Sequence, residues 1–212
     1  TNNFFSLALD YNRSWINLSA TVSKSFFRNK IDARYSGREN GKMVLRYENV
    51  DKSELGTIEV IGRFKLARSL FLNANYNYIF QSDNAPESST QYIFPSPHTA
   101  TFGADYAFRV FKARLGINAN VRYIGPKNYD DFMPYIEIRD YNNLDYTYWS
   151  GNYSARHDGY AVCNASAELS LPVGVALTVG VDNIFDYQPR VVNFNSALTP
   201  GVNGFVRVAF SF

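Results

Sequence analysis

The sequence predicts an all-β fold, a segment of a transmembrane antiparallel up-and-down β-barrel, and three observations lead to this prediction. Apolar and polar residues alternate with a period of two along most of the chain, as expected of strands with two unlike faces. Tight turns alternate with long connections, and Tyr and Phe lie toward the strand ends of the apolar face. A soluble β-sandwich explains the alternation equally well, so the loop asymmetry and the aromatic strand ends favour the barrel.

The alternation predicts nine strands, and no segment shows a helical period. Within 69–81, for example, Leu70 and Leu72 share one face and Asn73 lies on the other. The second and third strands are long, and the third is expected to bend around 49–56. The predicted strands cover about 3–12, 14–37, 42–67, 69–82, 98–110, 112–125, 159–171, 175–186 and 204–212.

The connections between these strands are of two kinds. Every other one is a tight turn, at 12–14, 67–69, 110–112 and 172–174. The others are 37–41, 83–97, 126–158 and 187–203. Alternate connections of a meander lie at the same end, and outer-membrane barrels have short periplasmic turns and longer extracellular loops. We therefore expect the last three connections to be extracellular and the C-terminus to lie on the periplasmic side.

Composition narrows the class of protein. No window of about 18 apolar residues exists, so no transmembrane helix is predicted, whereas a barrel strand needs only about 10 alternating residues. The mean hydropathy of −0.26 fits an average over a lipid face, a wet lumen and polar loops. A formal net charge of +2 gives no electrostatic case for nucleic acid. The single Cys163 excludes an internal disulfide and a metal site built from several cysteines.

No catalytic motif stands out in the sequence. It contains no G-x-S-x-G, H-E-x-x-H, Walker or G-x-G-x-x-G pattern, and its two histidines are far apart. We therefore expect no enzymatic activity and no cofactor, and a barrel enzyme is a distant alternative.

Several segments resemble the TonB-dependent outer-membrane receptors. "GVDNIFDYQPR" (180–190), "TPG" (199–201) and "GFVRVAFSF" (204–212) are similar to the end of that family's barrel, as seen in receptors of Bacteroidetes type. "PSPHTATFGADYAF" (95–108) is similar to its Pro-x-His strand start. Residues 23–33 and 46–60 are similar to the family's paired long strands. Gly56-Thr57-Ile58-Glu59 is one residue longer than the usual Gly-hydrophobic-Glu, which predicts a local bulge.

The resemblance implies a 22-stranded barrel that encloses an N-terminal plug domain. Residues 1–212 would then be the C-terminal portion of the barrel, with the last nine strands, and the plug would lie outside this chain. The implied function is TonB-dependent uptake of a scarce nutrient across the outer membrane: a ferric siderophore, haem or cobalamin. The implied partners are outer-membrane lipid, the rest of the receptor, the TonB complex acting through the plug, and a surface lipoprotein, with no nucleic acid.

Three alternative functions stay open at this point. One is import of a glycan or peptide by a member of the same family, and another is a passive porin-type barrel without a plug. The third is a soluble β-sandwich that acts as a binding module.

The connection 125–159 holds the candidate ligand-binding residues. A long loop on a rigid scaffold is a common place for ligand contacts, and aromatic rings can stack on a flat chelate, a corrin, a porphyrin or a sugar. The alternative is that these rings pack the loop onto itself. The candidates are Tyr129, Asp131, Tyr135, Tyr141, Tyr146, Tyr148, Trp149 and His157.

The two histidines receive different interpretations. His157 can ligate haem iron or another metal, or serve as a hydrogen-bonded residue of the rim. His98 occupies the Pro-x-His strand start and is interpreted as structural. The acidic string "DYNNLD" (140–145) lacks the glycine and spacing of a calcium loop, so no metal site is predicted.

Overall fold

Nine long strands form one antiparallel sheet in the computed structural model, which describes residues 1–40, 42–83, 96–129, 135–149, 155–193 and 201–211. Five shorter strands lie in the connections. In chain order the strands are β1 (Asn2–Arg13), β2 (Ile16–Glu39), β3 (Lys42–Lys65), β4 (Leu70–Asp83), β5 (His98–Val110), β6 (Ala113–Ile124), β7 (Lys127–Tyr129), β8 (Tyr135–Asp140), β9 (Asp145–Trp149), β10 (Ala155–His157), β11 (Tyr160–Leu171), β12 (Val175–Asp182), β13 (Val191–Asn193) and β14 (Asn203–Phe210). Among the described residues there is no helix capable of crossing a membrane.

The large sheet follows chain order from one edge to the other. Its order is β1-β2-β3-β4-β5-β6-β11-β12-β14, and each neighbouring pair is antiparallel. All nine predicted strands are present, with boundaries within four residues of the predicted ones. The predicted all-β, up-and-down arrangement is therefore confirmed.

The two longest strands, β2 and β3, pair regularly at the point where the sequence predicts a bulge. Residues 56–59 lie opposite residues 21–24 in a constant register, so the predicted bulge is wrong. The register shifts instead between Tyr35 and Arg38. A bulge requires an extra residue on one strand only, and residues 16–28 of β2 match residues 52–64 of β3 one for one.

One face of the large sheet is apolar from edge to edge. Leu9 and Val206, near opposite edges, are each 70% exposed, and Ala100 is the one described hydrophobic residue that is buried. Since no second layer of described residues covers this face, it suits hydrocarbon better than the core of a sandwich. Two rows of directly opposed residues illustrate the face: Leu9, Ala20, Val60, Tyr76, Ala100, Tyr123 and Ala161, and then Tyr106, Ile117, Ala167, Val179 and Val206.

The opposite face carries a connected set of polar side chains, here called the amide band: Asn73, Asp105, Asn118, Asn120 and Asn164. The Asp105 carboxylate accepts hydrogen bonds from Nδ2 of Asn73 and of Asn118, at 2.6 and 2.7 Å. Asn120 donates to Asn118 at 3.3 Å, and Asn164 donates to Asn120 at 3.0 Å. These polar groups therefore satisfy one another across β4, β5, β6 and β11.

The two ends of the sheet differ in their connections. At one end, β1–β2, β3–β4, β5–β6 and β11–β12 are joined by two to four residues each, which confirms the predicted tight turns. At the other end, the connection from β6 to β11 contains β7 to β10, and the connection from β12 to β14 contains β13. The candidate binding residues lie at this second end.

Candidate ligand-binding loops

Two loops that are far apart in sequence combine into one small sheet. Its order is β13-β8-β9, so a strand from the β12–β14 connection pairs with a hairpin from the β6–β11 connection. The Ile138 N–H donates to the Arg190 carbonyl oxygen at 2.7 Å, and the Arg190 guanidinium lies 3.3 Å from the Glu137 carboxylate. We call this three-stranded unit the loop sheet. Its backbone pairing holds the two loops together.

The β8–β9 hairpin is closed by an aspartate turn. The Asp140 carboxylate accepts hydrogen bonds from the backbone N–H of Asn142 at 2.8 Å and from the Asn143 side chain at 2.6 Å. The Asn143 side chain first, and then the backbone groups of Asn142 and Asn143, lower the pKa of Asp140. Leu144 completes the turn with a φ of 52°. The acidic string at 140–145 is thus a turn motif.

Two of the predicted tyrosines extend from the loop sheet into solvent. Tyr146 and Tyr148 are 56% and 59% exposed. Their cross-strand partners are Ile138 and Ile136, so both rings lie on one face of the hairpin. This arrangement presents two aromatic side chains on a backbone that pairing holds in place.

Tyr141, in contrast, contributes to the structure of the loops. Its hydroxyl donates to the Pro189 carbonyl oxygen in the other loop. Burial raises the pKa of Tyr141. This contact connects the two loops, and direct contact of Tyr141 with a ligand stays a prediction.

A stacked tyrosine pair joins β11 to the β12–β14 connection and is absent from the sequence-based candidates. The rings of Tyr160 and Tyr187 are 4.2 Å apart between centroids and within 5° of parallel. Burial first, and then the neighbouring Tyr160, Tyr141 and Asp158, raise the pKa of Tyr187 to about 12. The positions of the two tyrosines in the sequence are one signal that could have identified this pair. Tyr160 is the first residue of β11, and Tyr187 directly follows the Asn183–Asp186 run.

The run Asn183–Asp186 anchors the beginning of the second loop. Asn183 is buried, and its backbone N–H donates to Asn164 of the amide band at 2.9 Å. Its side chain donates to the Tyr187 carbonyl oxygen and accepts from the Tyr187 N–H, both at 2.9 Å. Asp186 then accepts a hydrogen bond from the Val202 N–H at 2.9 Å, which connects both ends of this loop.

His157 lies in a separate two-stranded ribbon. β10 pairs with β7, and His157 is opposite Lys127. Burial first, and then the positive charge of Lys127, lower the pKa of His157 to about 4, against the smaller opposing effect of Asp158. The imidazole is therefore neutral near pH 7. Its candidate role in ligand binding stays a prediction.

His98 has the structural contacts that its position in the sequence predicts. Its Nδ1 atom lies 2.8 Å from the Tyr76 hydroxyl, and its ring stacks on Tyr78 at 4.6 Å between centroids. Nearby, Ser96 Oγ donates to the Gly125 carbonyl oxygen at 2.6 Å. The His98 contacts join the beginning of β5 to β4, and the Ser96 hydrogen bond joins it to the residue that follows β6.

The remaining candidates are located by their backbones. Tyr135 pairs with Trp149 in the loop sheet, and Tyr129 pairs with Ala155 in the β7–β10 ribbon. Asp131 lies outside the described residues. The candidates thus fall into two groups, one in the loop sheet and one in the ribbon with His157. In the described part of the chain, no group of three or more His, Cys, Asp or Glu is arranged to hold a metal ion.

Comparison with known structures finds the same fold in larger proteins. The copper transporter OprC matches with a TM-score of 0.73 at 19% identity, over 100% of this chain and 31% of that one. The FrpB iron transporter from Neisseria meningitidis matches with a TM-score of 0.69 at 13% identity, over 100% and 31%. The ferric enterobactin receptor PfeA from Pseudomonas aeruginosa matches with a TM-score of 0.68 at 20% identity, over 100% and 31%.

The chain therefore spans about a third of the length of these proteins, and at such identities the likeness shows the fold. No curated protein matches the sequence. The family model described as TonB-dependent receptor-like β-barrel matches residues 1–184. With nine strands of one open sheet, the chain belongs to the TonB-dependent receptor family and forms part of its β-barrel.

Proposed function

We propose that this chain is the C-terminal portion of the barrel of an outer-membrane receptor that imports a scarce nutrient in a TonB-dependent manner. The nutrient is a ferric siderophore, haem or cobalamin. The chain supplies barrel wall and extracellular loops, and it catalyses no reaction. The observation that carries this proposal is the loop sheet, with Tyr146 and Tyr148 exposed on one face.

Two tyrosines on one face suit a flat, conjugated ligand. Alternate residues of a strand are about 7 Å apart, so both rings can contact one extended ligand. Tyrosine adds a hydroxyl that can hydrogen-bond to oxygen atoms of a chelate. Because backbone pairing orders the hairpin, little conformational entropy is lost when the ligand binds. The same rings can pack against sugars, and import of a glycan is therefore the second candidate function.

The unequal ends of the sheet support a proposed orientation in the membrane. The loop sheet would face outward, and the tight turns would lie on the periplasmic side. The end of β14 lies on the side of the tight turns, because the Ser211 N–H donates to the Gly174 carbonyl oxygen in the β11–β12 turn at 2.7 Å. The proposed partners are outer-membrane lipid, the rest of the receptor with its plug domain, the TonB complex and a surface lipoprotein.

Ligand binding to the full-length receptor tests this proposal. Fluorescence quenching is titrated with a ferric siderophore, haem, cobalamin and an oligosaccharide, and a Trp149→Phe variant isolates the signal of that residue. We expect saturable quenching by one ligand class. Tyr146→Ala and Tyr148→Ala should each weaken binding by roughly five- to tenfold, since a stacking contact contributes about 1 kcal/mol.

Tyr47→Ala provides the matched control, because Tyr47 is also an exposed tyrosine, at 81%, but lies on β3 and outside the loop sheet. If Tyr47→Ala and Tyr148→Ala weaken binding equally, the loop sheet is not the binding surface. Passage of small solutes without TonB, and without saturable binding, would instead identify a passive porin.

A further inference from the structure

The amide band ends at a residue that also holds the beginning of the second loop. Asn164 of β11 donates a hydrogen bond from its Nδ2 atom to Oδ1 of Asn120 in β6, at 3.0 Å. The Oδ1 atom of Asn164 accepts a hydrogen bond from the backbone N–H of Asn183, at 2.9 Å. One amide group therefore binds the inner wall with one end and the loop with the other.

The two hydrogen bonds of Asn164 require a single orientation of its amide group. A backbone N–H can only donate, so the Asn164 oxygen must face Asn183. Asn120 accepts with its own side-chain oxygen, so the Asn164 nitrogen must face Asn120. Rotation of the amide by 180° would bring two oxygens together at the wall and two N–H groups together at the loop. Both hydrogen bonds are therefore kept or lost together.

The wall end of this hydrogen-bonded chain is held by further residues of the amide band. Asn120 and Asn164 are register partners in β6 and β11. Asn120 also donates to Asn118 at 3.3 Å, and Asn118 donates to the Asp105 carboxylate at 2.7 Å. Hydrogen bonds arranged in a chain strengthen one another. The wall therefore fixes the orientation of Asn120, and Asn120 fixes that of Asn164.

The loop end of the chain reaches the loop sheet in two steps. Asn183 is buried, and its side chain makes two hydrogen bonds with the backbone of Tyr187, both at 2.9 Å. Two residues later, the Pro189 carbonyl oxygen accepts a hydrogen bond from the Tyr141 hydroxyl of the β8–β9 hairpin. Hydrogen bonds thus connect Asn164 to the unit that carries the exposed tyrosines.

We propose that Asn164 is a positioning residue for the binding loops, and that it couples the position of the loop sheet to the hydrogen bonding of the inner wall. This inference rests on the proposed function, in which the loop sheet binds the nutrient. Loss of the Asn120 partner releases the Asn164 amide, and a rotated amide no longer holds Asn183. Among the described side-chain hydrogen bonds, Asn120 has none to either loop, so its effect on the loops passes through Asn164.

Hydrogen exchange in the full-length receptor tests this coupling. The Tyr187 N–H is the reporter, because it donates to the Asn183 side chain. Asn120→Ala should accelerate its exchange about threefold, although position 120 lies in the wall. Asn77→Ala is the matched control and should leave the exchange unchanged. Asn77 lies on the same face of β4 as Asn73, and no described side-chain hydrogen bond joins it to the amide band.

Two substitutions at position 164 separate the two ends of the amide. Asn164→Asp keeps an oxygen that accepts from the Asn183 N–H but has no N–H for Asn120, so exchange should accelerate about threefold. Asn164→Leu removes both hydrogen bonds and deprives a buried residue of its backbone partner, so we expect about tenfold. The hydrogen bond from the Ile184 N–H to the Cys163 carbonyl oxygen, at 2.8 Å, keeps the loop attached in each variant.

A double-mutant cycle gives the decisive measurement. The wall contact is already lost in Asn164→Asp, so adding Asn120→Ala should leave the acceleration near about threefold. Multiplied effects, which would give about ninefold, would show that Asn120 acts by another route, and the inference would be wrong. Equal acceleration in Asn120→Ala and Asn77→Ala would also overturn it, because the sheet would then be loosened in general.

Nutrient uptake by the same receptor separates the two proposals. If uptake depends on TonB while the substitutions at 120 and 164 act independently, the coupling inference fails and the proposed function stands. If transport is passive while the double variant exchanges no faster than Asn164→Asp, the proposed function fails and Asn164 still positions the loops.

Discussion

The two ends of this barrel segment differ in how they pair their charges and cover their apolar side chains. At the loop end, connections form their own sheet, and their charges pair internally, as in Arg139 with Asp145 at 2.8 Å. At the turn end, connections have two to four residues and leave large apolar groups exposed, such as Phe111 and Val173. The nearby arginines also form no ion pair within the described residues.

The loop end satisfies its own polar groups, whereas the turn end leaves charged and apolar groups that other molecules can cover. A loop that satisfies its own polar groups can hold a binding surface steady before the ligand arrives. A turn region with unpaired charge and exposed apolar side chains is more stable with a partner beside it. Perturbing the loop end should therefore affect its internal order, and perturbing the turn end should affect association.

Asn183→Ala should have the largest effect on the loop end. It removes two side-chain hydrogen bonds from a buried residue and places alanine at a φ of 52°, a conformation that asparagine tolerates better. We expect a loss of about 3 kcal/mol in the local opening free energy. Hydrogen exchange of the Tyr187 N–H should accelerate about a hundredfold.

Asn183→Gly separates the two causes of this effect. Glycine accepts the positive φ but makes no side-chain hydrogen bond, so its exchange rate should fall between those of wild type and Asn183→Ala. Unchanged exchange at Tyr187 in both variants would show that Asn183 does not hold the loop.

Acidification should loosen the β7–β10 ribbon. The pKa of His157 is lowered to about 4 in the folded protein, so the opened form binds a proton more readily. The stabilisation is fully present above about pH 6.5 and is lost as the pH falls toward 4. We expect about twentyfold more opening at pH 5 than at pH 7, measured by hydrogen exchange of residues 155–160 after correction for intrinsic rates.

The histidine variants decide whether this pH dependence comes from His157. His157→Gln should abolish the difference between the two pH values, because glutamine does not titrate there. His98→Gln should preserve it, since His98 lies in the large sheet. A pH dependence that persists in His157→Gln would assign the effect to another group.

Tyr141→Phe should have the smallest effect. It removes only the hydroxyl that donates to Pro189 and leaves the ring in place. A net loss of about 1 kcal/mol corresponds to roughly fivefold faster exchange in β13. Tyr146→Phe, which alters an exposed hydroxyl of the same hairpin, should leave this exchange unchanged, and an equal change in both variants would argue against the role of Tyr141.

The large sheet could be predicted from the sequence because its signal is local. In β4 and β6, apolar and polar residues alternate, so the type of each residue indicates the face of the sheet on which it lies. Tight turns mark the strand ends. The register of β2 against β3 could not be predicted in this way. A sequence longer by one residue at 56–59 suggests a bulge, but only the partner strand decides whether a bulge forms.

The loop sheet could be predicted only in part, because its pairings connect distant segments. β13 has three residues, too few for a period, and it pairs with a strand more than 50 positions earlier. Tyr146 and Tyr148 were recognisable as loop aromatics, whereas the Tyr160–Tyr187 stack depends on two elements that meet only in the fold. Composition indicated aromatic loops, and three-dimensional pairing divided their tyrosines into exposed and packed.

The directly opposed rows of the large sheet limit how this wall can change in length. Inserting one residue into a strand would turn every later side chain of that strand to the other side, so that leucines would enter the water-filled interior and asparagines the hydrocarbon. Length changes within the wall are therefore tolerated in steps of two. Insertions in a tight turn, such as 172–174 between β11 and β12, meet no such parity rule, because no strand residue beyond the turn has to change face.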